Sequence, residues 1–156
     1  MPPSRDRLLP VAAAVGAAVL GGVSTDPGSP WFRGLRLPSF YPPPQTFGIV
    51  WTGLYTGVAW AGGEVLARGD GRQRREFGRA FGVNMALNAA WSPIFFRAHR
   101  PWLATAEAAA LTASTVDLAR RAAEVHRPAG VALAPYAAWT AFATVLSGAI
   151  ARLNPR

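Results

Sequence analysis

Apolar residues in this chain come in runs about as long as a bilayer is thick, separated by short stretches in which Arg, Pro and Gly collect. A helix needs roughly 20 mainly apolar residues to cross hydrocarbon. Five runs of about that length stand out, over residues 8–25, 45–66, 77–96, 101–123 and 129–153. Their ends fall where helix-stopping or charged residues cluster. The pattern predicts an all-α fold, an integral membrane bundle of five transmembrane helices, as one unit over residues 1–156. The stretch 26–44 is different in kind. It holds six Pro residues together with Trp31, Phe32, Phe40 and Tyr41, so it cannot be helical throughout and is too apolar for a free linker. It is expected to fold over one mouth of the bundle as a lid.

Two runs fit less cleanly. The first, with Arg5 and Arg7 ahead of an Ala-rich stretch, also fits a signal peptide. Small residues at Ala14, Ala18 and Gly22 recur every fourth position, which suits a retained helix packed closely on another. The fourth contains Glu107 and Asp117 and closes with Arg120 and Arg121. Charge at the bilayer centre is costly, so Asp117 is expected to pair with Arg120 or Arg121 near the interface, and Glu107 to reach the opposite interface similarly.

Composition sharpens this picture. The chain is 51% hydrophobic and only 15% charged, too few charges to cover a soluble domain. Mean hydropathy is a modest +0.16 because Ala and Gly dominate the apolar runs and sixteen basic residues, all Arg, lie mostly between them. The net charge of +8 does not point to nucleic acid, because the Arg residues bracket the runs, as headgroup anchors do, instead of forming one stripe. Ten Arg residues fall on the side of the N-terminus and six on the lid side, which places the N-terminus in the cytoplasm. With no Cys there is no disulfide, thiolate metal site or covalent haem motif. His99 and His126 fall in loops, so neither an intramembrane haem ligand nor a Ser/His/Asp arrangement is expected, and no phosphate-binding Gly loop is present. No metal or resident cofactor is anticipated.

Three helices carry aromatic or amide residues at the spacing that defines one helical face. These are Phe47, Trp51 and Tyr55 on the second, Asn84, Asn88 and Trp91 on the third, and Trp139, Ala143 and Leu146 on the fifth, just after Pro135 and Tyr136. An amide in hydrocarbon must find a partner, so both Asn residues point inward, either to join helices or to face a ligand. Trp60 and Trp102, at segment ends, fit an interfacial belt. An inward cage of rings and amides suits a planar apolar ring system with polar edges. On the third helix, Gly78, Gly82, Ala86 and Ala90 form a small-residue ladder that fits a homodimer seam or packing within the bundle.

The run 37–55, LPSFYPPPQTFGIVWTGLY, resembles the signature of the TspO and translocator protein family, formerly called peripheral-type benzodiazepine receptors. Residues 88–96, NAAWSPIFF, resemble that family's third-helix motif, and residues 135–154, PYAAWTAFATVLSGAIARLN, its fifth. Trp31 stands where the family keeps a first-loop Trp. The resemblance covers the chain beyond the first helix in the same order and spacing. It implies a five-helix bundle of bacterial type, often homodimeric, that binds porphyrins such as protoporphyrin IX in a pocket beneath the first loop, and in some members sterols and synthetic isoquinoline or benzodiazepine ligands. Carried over by position, it assigns porphyrin handling and light-dependent porphyrin breakdown to Trp51 and Trp139, the amide pair to Asn84 and Asn88, and the close-packed small residue to Ala143 beside Leu146. The ligand-binding set it implies is completed by Trp31, Phe40, Pro43, Phe47, Tyr55, Trp91 and Phe142.

There are departures. Ser147 and Gly148 stand where the fifth-helix and sterol-recognition motifs want Asn and Tyr, and the fourth helix has Thr112 and Arg120 near positions where many relatives have Trp. The expected function is a membrane receptor or carrier for tetrapyrroles, in which Arg33 and Arg36 of the lid meet the propionates. A light- and oxygen-dependent porphyrin-degrading enzyme, with Trp51 and Trp139 as the reacting indoles, is the alternative. A coupled transporter ranks last, since broken-helix repeats and an ionisable relay are lacking.

Overall fold

The computed structural model describes residues 5–155, with side chains from Leu8 onward; the Arg5, Arg7 and Arg156 side chains lie outside the described residues. Helix α1 spans Arg5–Ser24 and leads into the lid, which contains one helical turn, α2, over Pro30–Arg33. Ser29 caps that turn by accepting a hydrogen bond from the Phe32 N–H at 3.2 Å. Helix α3, Pro44–Arg68, begins with Pro at its first position, where no backbone N–H is needed. It is followed at once by α4, Gly71–Ser92. Asp70 accepts from the N–H groups of Arg72 and Gln73, while the Gln73 side chain accepts from the Asp70 N–H, a complete capping box. This box starts α4 six residues before the expected boundary at residue 77.

Pro93 lacks an N–H, and α4 widens there into a π-helical turn, Pro93–Arg97. Helix α5, Pro101–Val125, follows a tight corner in which His99 has a positive φ of 55°. The fifth expected span is broken. It divides at Leu133 into α6, Arg127–Ala132, and α7, Ala134–Leu153, because Pro135 offers no N–H to the preceding turn. The described residues contain no strand.

Helix α5 lies at the centre, packed on α4, α6 and α7, while α1 covers α3 and α4. The close approach of α1 to α3 depends on Gly62, where a Cβ would stand 2.8 Å from the Cβ of Pro10. The buried stripe of α1 is Pro10, Ala14 and Ala17, so Ala18 and Gly22 of the expected ladder face outward or lie at its margin. Helices α3 and α7 touch only sparsely, and ring side chains occupy the space between them. Outside, Leu9, Val15, Leu20, Ile49, Val83, Val131 and Val145 are all exposed, an apolar coat spread over α1, α3, α4, α6 and α7. Trp102 is exposed at the start of α5, and Trp60 is exposed farther inside α3, which continues to Arg68. Asp117 accepts from the Arg121 Nε–H at 2.7 Å, one turn on, and pairs with its charge.

Candidate functional site

The amides predicted to point inward do so, and other side chains saturate much of their hydrogen-bonding capacity. Asn84 is fully buried; its amide N–H groups donate to Ser114 Oγ at 3.2 Å and Thr115 Oγ1 at 2.9 Å on α5. Its carbonyl accepts from the Tyr136 hydroxyl of α7 at 2.9 Å. Asn88 donates to the same Tyr136 oxygen at 3.0 Å and accepts from the Tyr55 hydroxyl of α3 at 2.6 Å. One network therefore ties α3, α4, α5 and α7 together, with Asn84, Asn88 and Tyr136 buried in the bundle. Asn84 has no free polar edge toward a ligand, so of the two uses read from the sequence it serves to join helices.

Rings form two connected groups. Around the core of α3 and α7, Trp51 stacks on Tyr55 with centroids 5.2 Å apart and meets Tyr136 edge-on at 6.2 Å. Trp139 meets Phe47 at 5.8 Å and Phe142 at 5.3 Å. Beneath the lid, Phe32, Phe95, Phe96, Ala104, Leu146 and Ile150 are buried, with Trp31, Tyr41 and Trp91 packed against them. Trp91 stacks on Phe95 at 5.0 Å, and Trp31 approaches Phe95 at 5.4 Å. Tyr41 bridges the two groups, 5.6 Å from Phe47 and 6.2 Å from Phe32. Burial raises the pKa of its phenol above the usual value. The three expected cage indoles thus divide: Trp51 meets the rings of Tyr55 and Tyr136, whereas Trp139 joins, through Phe47 and Tyr41, the ring chain that reaches Phe95 and Trp91. Ala143 is half-buried on α7 between them. Phe40, though exposed, contacts Phe142 at 6.4 Å, and Pro43 is exposed just before α3.

The lid is pinned at two places. Asn154, beyond the end of α7, accepts from the Arg36 N–H at 2.9 Å and donates to the Arg36 carbonyl at 3.0 Å. Trp31 stacks on His99 at 4.3 Å. Arg33 and the Arg36 side chain remain at the surface. A cavity of about 520 Å³ lies elsewhere, between α1 and α3, along Val11, Ala14, Val15, Tyr55, Ala59 and Trp60. Another of about 470 Å³ lies between α4 and α5 at Glu76, Arg79, Asp117 and Arg121. Neither is lined by the cage indoles.

The sequence model of the TspO/MBR family matches residues 8–153. The chain belongs to this family. It is 30% identical over 155 residues to the tryptophan-rich protein TspO of Chlorobaculum tepidum, covering 96% of this chain and 98% of that one. To the tryptophan-rich sensory protein of Cereibacter sphaeroides it is 31% identical over 144 residues, 91% of this chain and 87% of that one. To the human translocator protein it is 34% identical over 134 residues, 80% and 75% of the two chains. Membership in the TspO/MBR family makes the apolar coat a lipid-facing surface and the five-span reading that of a membrane helical bundle.

Within this TspO/MBR bundle, several residues central to the site lie outside the binding set expected from the sequence. Tyr136 is the hub of the amide network, and Phe32, Phe95 and Phe96 make the floor of the lid. Tyr136 shares a buried α7 face with Thr140, Ser147 and Ile150, a period that would have marked it. Glu107 departs from expectation: it lies in the buried stripe of α5 with both carboxylate oxygens unpartnered, and does not reach an interface.

Proposed function

We propose that this protein is a membrane receptor or carrier for tetrapyrroles such as protoporphyrin IX, held between the lid and the α3/α7 seam. The observation that carries this reading is the ring chain running from Trp139 through Phe47 and Tyr41 to the lid cluster, with Trp51 packed on the neighbouring core beside Tyr55 and Tyr136, at the place where two helices are spaced by side chains. Flat apolar ligands are retained by offset stacking on such rings, each worth about 0.5–1.5 kcal/mol beyond area burial. Entry requires the lid to lift, and Arg33 and Arg36 at its outer face supply charge for the propionates. The supporting test is binding of protoporphyrin IX to detergent-solubilised protein, read from porphyrin absorbance. A Trp51→Phe, Trp139→Phe double variant should bind about tenfold more weakly. Equal affinity would remove the indoles from the site.

A second reading, photo-oxidative conversion of the bound porphyrin by oxygen, draws on the Trp51–Tyr55 stack, which leads from an indole to a hydrogen-bonded phenol. New products under illumination that vanish in the Trp51 variant would support it; bleaching equal to that of free porphyrin would reject it. The protein is further proposed to dimerise through α4, whose Gly78, Gly82 and Ala86 are exposed, with open space above both Gly residues. Gly82→Leu should then yield monomers in cross-linking. The Arg distribution supports a cytoplasmic N-terminus and an external lid in the bacterial cell membrane; a reporter fused after α7 should be external.

A further inference from the structure

On α4, Arg72, Glu76, Arg79 and Val83 follow at intervals of four, three and four residues, which sets them on one helical face. Ser114, Asp117 and Arg121 form a matching stripe on α5. The two helices run antiparallel, with Asn84 bonded to Ser114 at one level and Glu76 facing Arg121 nearer the start of α4. The stripes therefore border the groove of about 470 Å³ between these helices. Arg121 closes one end of it: its Nε–H donates to Asp117 at 2.7 Å, and its Nη1 stands 3.8 Å from Glu76 across the gap. Glu76 also accepts from the Arg72 Nε–H at 2.7 Å. Both carboxylates are thus committed to Arg72 and Arg121.

Arg79 is left over. It is exposed and has no ion pair or hydrogen bond among the described residues. Three guanidinium groups stand here against two carboxylates, so one positive charge is uncompensated. Arg79 lies about 12 Å along α4, and a long cationic side chain at that depth reaches back toward the helix N-terminus and the head-group level. Across the groove, Ser114 accepts from Asn84, and its own O–H has no acceptor among the described residues. Past Arg79 the wall turns apolar, with Ala80 half-buried and Val83 58% exposed. Val83 belongs to the lipid-facing coat, so the groove opens on lipid and not on water.

We propose that this groove is a site for one anionic phospholipid, its phosphate held by Arg79 and the Ser114 hydroxyl and one acyl chain laid along Ala80 and Val83. A planar guanidinium matches phosphate oxygens in geometry as well as charge, and basic pockets between membrane helices take anionic head groups for that reason. The uncompensated positive charge favours a head group that brings no cation of its own, so the lipid is of the phosphatidylglycerol kind and not the phosphatidylcholine kind. A soluble phosphate would leave the apolar wall below Arg79 unused. The site lies on the outer side of α4 and α5, apart from the rings and the lid, and does not depend on the tetrapyrrole reading.

Native mass spectrometry of the full chain released from detergent, titrated with phosphatidylglycerol and phosphatidylcholine of the same acyl chains, tests this. Wild type should retain one phosphatidylglycerol about fivefold more tightly than phosphatidylcholine, and Arg79→Gln should abolish that preference. Arg127→Gln removes the same charge from an exposed position on α6, outside the groove, and should keep it. Val83→Trp fills the apolar end and leaves every charge in place, so it should weaken phosphatidylglycerol too; unchanged affinity there overturns the place given to the acyl chain. Equal retention of the two lipids by wild type, or equal losses in Arg79→Gln and Arg127→Gln, overturns the site and leaves only a diffuse basic surface. Displacement of the lipid by excess inorganic phosphate would give the groove to a soluble anion. Arg79→Gln that turns dimers into monomers without changing lipid retention would give it to a second copy of the chain. Without added lipid, Arg79→Gln should melt like wild type, because the side chain has no partner to lose. A marked fall would show that it has one, which also overturns the proposal.

Discussion

Tyr136→Phe isolates the amide network from ring packing, because it deletes one oxygen and keeps the ring. That oxygen donates to Asn84 at 2.9 Å and accepts from Asn88 at 3.0 Å. Both amides are buried, so the variant leaves one carbonyl and one N–H without partners. In water-soluble interiors each orphan costs about 1–3 kcal/mol. In a bilayer the denatured helices also find partners, which lowers the value to about 0.6–1.7 kcal/mol per bond. Two bonds give about 1–3 kcal/mol, or a fall in Tm of roughly 2–10 °C at this chain length. Thermal melts in detergent should show that fall, and a double-mutant cycle with Asn88→Leu should show coupling above about 0.5 kcal/mol. An unchanged Tm, or additive effects, would mean that the amides do not hold the helices together through Tyr136.

Other substitutions probe separate elements. Gly62→Val forces a methyl against Pro10 and, at 3.2 Å, against Phe81; it should destabilise by about 1–3 kcal/mol, measured in the same melts. Asp70→Ala removes the acceptor of two backbone N–H groups and should cost about 1 kcal/mol, with faster amide exchange confined to the first turn of α4. Asn154→Ala releases the backbone of Arg36. Trypsin should then cut faster at Arg33 and Arg36 while global Tm stays within about 2 °C.

The spans were legible because run length alone decides them in a bilayer, and α3 and α5 end within two residues of expectation. Two boundaries were not legible from hydropathy. The start of α4 is a polar stretch, Gly71 to Glu76, that hydropathy assigns to a loop, although Asp70 and Gln73 spell the capping box. The fifth span reads as one apolar run, and its break comes from one missing N–H at Pro135. Helical period correctly turned Asn84 and Asn88 inward, yet could not supply Tyr136 as their partner, because 52 and 48 residues separate these groups and the register of α4 on α7 is set by packing. Glu107 was misread for a related reason. Its sign and depth suggested a route to water, whereas its phase with Ala104, Ala108 and Leu111 puts it on the buried stripe.

The clamp between Asn154 and Arg36 joins points 118 residues apart in the chain. It makes the lid over the ring cluster a passenger of the last helix. Under the proposed function, a guest wedging Trp139 and Phe142 away from Phe47 would tilt that helix and carry the lid with it. On the proposed binding reading, what the rings hold would then be reported at the membrane surface, with α7 acting as the lever between the two.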